Sequence, residues 1–376
     1  MDIKNMSKTI LYGVLGILWI LAVVIYHVPG FWMFLGVVAI LLIKTFNPFR
    51  LSVETIPEGF TEKKFNTGEV VLNYVEGPDN GPPLLFIPGQ MEFWQGYMPV
   101  MPHFSKKYHV FVIDLRGHGK STRTSGRYSY NICGEDLKLF LEKVIKKPAI
   151  VSGLSSGAVL SLWLAANTPQ YVSVAISEDP PLFSSIYPRI KEEKFMHRLF
   201  QTAIETLDKP KRDIKGFFAK QGIPIKGKEK LLMMPSFIAS YRAISLKLNK
   251  KIRPSKPYDL FNARFDERAG LKFISEYDVD FSKATIDGRL SEGFDPEETL
   301  KKIKCPVLLI WAYWSRHETW GLLGALDDKD VEKIRSIVKG IQVVKVNAMH
   351  DVHLAKPGIF INAVDSYLEN LNKIKI

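Results

Sequence analysis

Short apolar runs alternate with helical patterns along most of the chain, and this alternation predicts the fold class. Six runs have the length and composition of buried parallel strands, at residues 83–87, 109–114, 149–152, 172–177, 306–311 and 341–346. Helical spacing of apolar residues follows at residues 132–144, 156–166, 330–338 and 359–371. An alternating segment at residues 69–75 adds an antiparallel strand. The sequence therefore predicts an α/β fold in which a mostly parallel sheet is covered by helices on both faces.

The longest apolar run lies near the N-terminus, where residues 10–43 contain no Asp, Glu, Lys or Arg. As one helix it would be about 50 Å long, against a bilayer hydrocarbon core of about 30 Å. A turn signal at residues 27–30 divides it and favours a transmembrane hairpin, residues 10–26 and 31–43, over a single span. Residues 1–50 are therefore predicted to form a membrane anchor. Basic residues at both ends favour a cytoplasmic catalytic domain, and the lack of a small-x-small cleavage site argues against a signal peptide.

A Gly-Leu-Ser-Ser-Gly sequence at residues 153–157 connects a predicted strand to a predicted helix. A G-x-S-x-G pattern in this context is typical of a nucleophile elbow, in which the glycines permit a tight turn and the serine hydroxyl stands above the sheet. Ligands of such sheets bind beyond the carboxyl ends of the strands, where this turn lies. Ser155 is therefore a candidate nucleophile, and the alternative is a turn that merely joins strand to helix.

Three further segments occur in order around the elbow. Pro88-Gly89-Gln90 follows the first parallel strand, residues 114–121 read DLRGHGKS, and residues 349–357 read MHDVHLAKP. They resemble, respectively, the His-Gly-x oxyanion loop, the D-x-R-G-x-G-x-S loop and the histidine-bearing segment of the α/β-hydrolase superfamily, with Pro88 replacing the usual histidine. The resemblance covers residues 60–371 and implies an α/β-hydrolase fold.

The resemblance also implies roles around Ser155. A serine hydroxyl needs a neutral imidazole to accept its proton, and an acid must orient that imidazole. His350 is the expected base because it follows the last predicted strand. His353 is expected to be a supporting or surface histidine that could exchange roles with His350, and His118 is expected to make structural hydrogen bonds.

Attack by a serine on an ester produces a negatively charged oxygen, which needs hydrogen-bond donors. The resemblance implies that the backbone N–H of Ser156, the residue after the nucleophile, is one donor. The other is expected from the loop that follows the first parallel strand, at Gln90 or Met91. These amides are the predicted oxyanion hole.

The acid is the point at which the chain departs from the family pattern. After the strand at residues 306–311 the family has Gly-x-x-Asp, whereas residues 312–315 here read Ala-Tyr-Trp-Ser. Ser315 cannot hold an imidazolium as a carboxylate does. Asp179 is preferred because it follows an earlier strand, an arrangement that resembles some family members, with Glu178 and then Glu318 as alternatives. A capping role alone for Glu178 and Asp179 is the structural alternative.

A long insertion separates the two parts of the predicted core, residues 51–180 and 304–376. Residues 181–303 are more than one crossover connection needs, and helical patterns lie at residues 192–207 and 231–248. In the family that the chain resembles, a segment at this place forms a cap, or lid, over the active site. A helical cap that shapes an acyl pocket is therefore expected.

The charge of the protein is concentrated in this predicted cap. The chain has 51 Lys and Arg against 39 Asp and Glu, a net charge of +12. Residues 185–260 alone hold 18 Lys and Arg and 7 Asp and Glu. A basic cap beside a membrane anchor favours docking on anionic lipid, and a solvated basic surface is the alternative. Nucleic acid is not expected as a partner because no recognisable reading module accompanies the charge.

Cysteine usage adds no further chemistry. Cys133 and Cys305 are the only two cysteines, and buried reduced thiols are expected at both positions. No Cys/His cluster has zinc spacing and no Gly-rich phosphate loop is present in the sequence. The sequence therefore predicts neither a metal nor a cofactor.

These features together predict a membrane-anchored serine hydrolase of carboxylesterase or lipase type. It would cleave a lipid-like or amphiphilic ester through an acyl-enzyme, with the bilayer and a small acyl ester as its partners. Serine as nucleophile argues against the epoxide hydrolases and haloalkane dehalogenases of this fold, which attack with aspartate. An acyltransferase, a cofactor-free perhydrolase and a non-catalytic membrane-bound binding protein remain open.

Overall fold

The strands and helices of the protein follow the predicted alternation. A computed structural model describes residue 36 and residues 51–184, 186–260 and 263–374. The described strands are β1 (Thr61–Asn66), β2 (Val71–Glu76), β3 (Pro83–Ile87), β4 (His109–Ile113), β5 (Ala149–Leu154), β6 (Val172–Glu178), β7 (Gly222–Ile223), β8 (Leu232–Met233), β9 (Val307–Trp311), β10 (Ser315–His317), β11 (Gly321–Leu323) and β12 (Gln342–Lys345). The described α-helices are α1 (Met101–Phe104), α2 (Tyr130–Phe140), α3 (Ser156–Asn167), α4 (Lys194–Leu207), α5 (Ile214–Lys220), α6 (Ser236–Ile252), α7 (Phe265–Glu276), α8 (Asp280–Asp287), α9 (Pro296–Lys301), α10 (Asp328–Ile337), α11 (Val352–Ala355) and α12 (Pro357–Ile374).

The main sheet has the strand order β1-β2-β4-β3-β5-β6-β9-β12. Strands β4 to β12 of this order pair in parallel, whereas β1 and β2 run antiparallel. The inner strands β3, β5 and β9 are buried along their whole length. One apolar cluster packs α2 and α3 against the sheet, and a second packs α12 against the other strand faces. The predicted α/β-hydrolase fold, with its mostly parallel sheet, is confirmed.

The edge strand β1 has no counterpart in the sequence prediction. Among the described strands it pairs only with β2, from Thr61 opposite Glu76 to Asn66 opposite Val71. Its charged residues form ion pairs at the sheet edge: Lys63 with Glu76 at 2.9 Å, and Glu62 with Lys120 at 2.6 Å. Charged side chains are typical of edge strands because they discourage pairing with other chains. The same charges hide the apolar alternation by which a strand is recognised.

The insertion, called the cap below, forms helices that share an apolar cluster with Val53 and Phe93 of the core. Helices α4 to α7 contribute Ala203, Leu207, Phe217, Leu246 and Phe273 to this cluster. The helix predicted at residues 231–248 begins instead at Ser236 and ends at Ile252. Residues 232–233 pair with residues 222–223 as a hairpin, so they are extended rather than helical. Pro235 precedes the helix, where its missing N–H costs no intrahelical hydrogen bond.

The predicted membrane anchor lies almost entirely outside the part of the chain that the structure describes. Residues 1–50, with the expected spans at residues 10–26 and 31–43, lie outside the described residues except for residue 36. Among the helices that the structure describes, none combines the length and apolar character needed to cross a bilayer. The anchor therefore stays a prediction.

Candidate active site

Ser155 occupies the sharp turn between β5 and α3. Its backbone has φ 54° and ψ −120°, a conformation that L-residues rarely adopt and that characterises a nucleophile elbow. The flanking glycines permit the turn. A Cβ on Gly153 would lie 2.1 Å from the Gly157 carbonyl oxygen, and one on Gly157 would lie 2.2 Å from the Ile87 carbonyl oxygen. The segment thus makes the tight turn that the sequence pattern predicts.

Asp179 and His350 meet at the carboxyl edge of the sheet. The register pairs the last residues of β5 and β6, so Ser155 and Asp179 follow adjacent strand ends. One carboxylate oxygen of Asp179, Oδ2, lies 2.7 Å from Nδ1 of His350. The other, Oδ1, accepts a hydrogen bond from the backbone N–H of Ala312 at 3.4 Å. Ala312 directly follows β9, so Asp179 reaches from β6 towards the strand end where the family usually carries its acid.

The contact with Asp179 affects the pKa and the tautomer of the His350 imidazole. Burial opposes the charged imidazole, but the hydrogen bond and charge of Asp179 outweigh it and raise the pKa of His350. In the neutral form, Nδ1–H donates to Asp179 and Nε2 remains an acceptor. Ser155 and His350 line one cavity, although among the described side chains no hydrogen bond joins them. Such bonds often tighten only when substrate binds.

The two amides expected from the oxyanion loop have different surroundings. The Met91 amide donates to Nε2 of His118 at 3.1 Å, which removes Met91 from the expected oxyanion donors. His118 donates through Nδ1 to the Arg116 carbonyl oxygen, and burial lowers its pKa to about 4, so Nε2 stays an acceptor. By contrast, the backbone amides of Gln90 and Ser156 have no hydrogen-bond acceptor within the described part of the chain. Both are available to an oxyanion.

Cap helix α8 holds the side chain of Gln90. Its Nε2 donates to Ser282 Oγ at 3.0 Å, and Thr285 Oγ1 donates to its Oε1 at 2.9 Å. Tyr277 Oη lies 2.9 Å from Ser282 Oγ and extends the network into the cap. These residues lie more than 180 positions from Gln90 in sequence, so no local pattern indicated them. The cap therefore helps to position the oxyanion loop.

A second histidine lies between two carboxylates in the protein interior. Nδ1 of His353 is 2.8 Å from Glu178 Oε2, and Nε2 is 3.1 Å from Glu92 Oε1. The ring stacks on Tyr97 with the centroids 3.8 Å apart. Burial opposes its charge, but the two carboxylates raise the pKa of His353 to about 10, so the group is an imidazolium at neutral pH. His353 is thus buried and not a surface residue, and both carboxylate oxygens of Glu178 form hydrogen bonds with it.

Glu92 connects this buried group to the oxyanion loop. Its Oε2 accepts a hydrogen bond from the Gly89 amide at 3.2 Å, and its own amide donates to the Gly89 carbonyl oxygen at 3.1 Å. The carbonyl oxygen of Glu178 accepts from the Ser155 amide at 2.9 Å. The Glu178–His353–Glu92 cluster therefore contacts both the nucleophile turn and the loop that carries Gln90. The sequence prediction did not include Glu92.

The remaining acid candidate, Glu318, does not contact either histidine. It is exposed in the turn between β10 and β11, and in the described ranges no hydrogen bond joins it to His350. Ser315, at the usual acid position, begins β10 and lines the cavity without carrying a charge. Among the predicted acids, Asp179 alone contacts the His350 ring.

A cavity of about 420 Å³ opens over Ser155 and His350. Its walls come from several elements, among them α4, the β7–β8 hairpin and the loops after β9 and β12. Most of the lining residues are apolar: Tyr130, Pro181, Phe195, Met196, Leu199, Phe200, Ile223, Pro224, Leu323 and Met349. The volume is in the range of small-molecule sites, about 300–1,000 Å³. An apolar group therefore suits this cavity better than a charged one.

Neither cysteine lies in this cavity. Both are free thiols, with Cys133 buried and Cys305 half-buried, and burial raises the pKa of Cys133 to about 12. Within the described ranges, no group of three or more His, Cys, Asp or Glu side chains is arranged to hold a metal ion. Besides Ser155 and His350, the cavity lining includes the tyrosines Tyr130 and Tyr313.

Comparison with known proteins gives partial matches to curated relatives. The chain is similar to the Magnesium-chelatase 30 kDa subunit of Rhodobacter capsulatus, with 36% identity over 94 residues, 25% of this chain and 33% of that protein. It is similar to Epoxide hydrolase 2 of Caenorhabditis elegans, with 29% identity over 129 residues, 33% of this chain and 36% of that protein. The match thus spans about a third of the length of each relative.

Comparisons of structure and of family give broader matches. A crystal structure of a membrane phospholipase A has a TM-score of 0.57, 19% identity and coverage of 97% of this chain and 99% of that chain. At this identity the likeness concerns the fold alone. The family model for the alpha/beta hydrolase fold matches residues 82–313, more than half of the chain, from the start of the parallel sheet to the loop after β9. The chain therefore belongs to the alpha/beta hydrolase family.

Proposed function

We propose that this protein is a serine hydrolase that cleaves a carboxylic ester through an acyl-enzyme. The observation that carries the proposal is the 2.7 Å contact between His350 and Asp179, with His350 and Ser155 lining the same cavity. Neutral His350 accepts the proton of Ser155 as the hydroxyl attacks the ester carbonyl, and Asp179 stabilises the resulting imidazolium. The amides of Ser156 and Gln90 stabilise the negative oxygen of the tetrahedral intermediate.

Collapse of that intermediate breaks the bond to the alcohol oxygen. The imidazolium of His350 donates its proton to the departing alcohol, which leaves the acyl group on Ser155. A water molecule then gives its proton to His350 and attacks the acyl carbonyl. The second collapse releases the carboxylic acid and returns the proton to Ser155. An acyltransferase differs only in using an alcohol in place of this water.

We further propose that the acyl group is lipid-like and that the enzyme acts at a membrane. The apolar walls of the cavity support the acyl part of this proposal. The uncharged residues 10–43, with basic residues on both sides, support an anchor at residues 1–50 and a catalytic domain on the cytoplasmic side. The bilayer and a small acyl ester are the proposed partners.

A fluorophosphonate probe tests the nucleophile. Wild-type protein is expected to become labelled because the probe captures a serine activated by a neutral histidine. Ser155→Ala should not be labelled, whereas Ser315→Ala, which removes another serine of the same cavity, should be labelled like the wild type. An unlabelled wild type would refute the serine hydrolase, and a labelled Ser155→Ala would refute this nucleophile.

Esters of increasing acyl length test the proposed substrate class. We expect kcat/KM to rise about fourfold for each added methylene until the cavity is full, because each buried methylene contributes about 0.8 kcal/mol. Leu199→Trp narrows the cavity and should abolish this rise while leaving acetyl ester hydrolysis within about twofold. The control is Gln201→Trp on the exposed side of the same helix. A preference for the shortest esters in the wild type would contradict a lipid-like substrate.

A further inference from the structure

Helix α6 of the cap exposes a row of large apolar side chains. Five of them are between 53% and 72% exposed: Phe237, Tyr241, Ile244, Leu248 and Ile252. Their spacing of four, three, four and four residues places them on one face of the helix, here called the α6 stripe. The opposite face holds the buried residues Ala239 and Leu246. The helix is thus apolar on a second face that has no partner among the described residues.

The hairpin before α6 connects the stripe to the candidate active site. Ile223 of β7 pairs with Leu232 of β8, and these side chains are 67% and 57% exposed. Ile223 also lines the cavity, together with the exposed residues Tyr313 and Met349. Three exposed apolar residues therefore lie at the cavity, and the hairpin leads directly from one of them into α6. A surface that covers the stripe would lie near the entrance for substrate.

Positive charge accompanies this apolar surface. Helix α6 contains no Asp or Glu, and the exposed Lys247 and Lys251 directly precede two stripe residues in sequence. The loop between β7 and β8 adds exposed Lys226, Lys228 and Lys230 against one acid, Glu229. Exposed apolar residues beside lysines match a bilayer that has anionic headgroups above an apolar interior. A second copy of this cap would cover the apolar residues but would bring like charges together.

We propose that the α6 stripe inserts into the surface of an anionic membrane and holds the cavity entrance against the lipid. Stripe side chains lie at the boundary of headgroups and acyl chains, with Lys247 and Lys251 at the lipid phosphates. The purpose of the docking, delivery of an acyl lipid, rests on the proposed function. The membrane contact itself requires no catalysis. It is a second membrane contact, separate from the anchor proposed at residues 1–50.

A fluorescent label on the stripe tests the docking in the full-length chain. The environment-sensitive dye NBD is attached at Ile244→Cys or, as a control, at Lys339→Cys, both in a Cys305→Ser background. Lys339 is exposed just before β12, at the amino end of the sheet and opposite the cavity. With phosphatidylcholine vesicles containing phosphatidylserine, NBD emission at position 244 should shift to the blue and resist an aqueous quencher, and emission at position 339 should not. Because the readout is local, tethering through residues 1–50 does not produce it.

Charge variants and a measurement without vesicles complete the NBD experiment. Replacing Lys247 and Lys251 with glutamine should lower the ratio of docked to undocked label about 30-fold. High salt should also lower this ratio. Equal shifts at both positions, or no shift at position 244, would overturn the proposal. A blue shift at position 244 without vesicles would overturn the membrane proposal. A shift that depends on protein concentration would mean that a second copy covers the stripe, and a shift independent of concentration would mean that another segment of this chain covers it. Fluorophosphonate labelling of the same samples shows separately whether the proposed serine chemistry holds.

Discussion

Replacing Asp179 with asparagine is expected to lower kcat for ester hydrolysis by roughly 10³- to 10⁴-fold. The carboxylate accepts a hydrogen bond from Nδ1–H of His350 at 2.7 Å. In the proposed mechanism it stabilises the imidazolium that forms when Ser155 loses its proton. An asparagine amide can keep a hydrogen bond to the ring, but it supplies no negative charge and can favour the wrong tautomer. The measurement is steady-state hydrolysis of an ester that the wild type accepts.

The pH profile of the same variant distinguishes the proposed role from a loss of folding. In the proposed mechanism only neutral His350 acts as a base, so activity should fall as pH drops through its pKa. Asp179 raises that pKa, and its removal should therefore move the acidic limb of kcat/KM to lower pH. If the variant were only partly unfolded, kcat/KM would be lower at every pH and the acidic limb of the profile would not move.

The matched control is Glu318→Gln, which removes an exposed carboxylate that has no contact with His350. It should keep both the rate and the pH profile of the wild type. A rate loss in Glu318→Gln comparable to that in Asp179→Asn would contradict the assignment of Asp179 as the acid.

Replacing His353 with alanine is expected to lower the free energy of unfolding by about 3–5 kcal/mol. The change leaves the carboxylates of Glu178 and Glu92 in the interior without the imidazolium that lies between them. It also removes a ring stacked on Tyr97 and creates a cavity, which adds to the loss. Urea unfolding followed by circular dichroism measures the effect.

A surface histidine provides the control for this experiment. His103 pairs with Asp365 at 2.7 Å, with side chains 36% and 24% exposed, and His103→Ala should cost less than about 1 kcal/mol. Equal losses in the two variants would show that the buried charge of His353 contributes nothing beyond a surface pair.

The stability that His353 contributes should depend on pH in a defined window. Its pKa is about 10 in the folded protein, above the value of about 6.5 expected for an unfolded histidine. A raised pKa means that the folded state retains the proton longer, so the contribution is fully present below about pH 6.5 and is lost as pH rises towards 10. Over this window the stability of the wild type should fall more steeply than that of His353→Gln. Parallel curves for the two proteins would contradict an imidazolium at this position.

The two histidines near the end of the chain show how far a local pattern can lead. Their segment resembles the family's histidine motif, and the position of His350 after the last strand indicated which one to prefer. The pattern did not show that His353 is buried between Glu178 and Glu92. These partners are 175 and 261 positions away, so only the packing of separate elements brings them together.

The sequence by itself determined the strand and helix alternation, the nucleophile turn and the order of the motifs, because these depend on local periodicity and backbone geometry. The tertiary structure decided which carboxylate serves which histidine: Asp179 contacts His350, whereas Glu178 contacts His353. It likewise directed the Met91 amide to His118 and left the Gln90 amide without an acceptor in the described chain. Such choices depend on the directions of side chains and amides at the ends of neighbouring strands, and these directions are set only when the sheet and cap have packed.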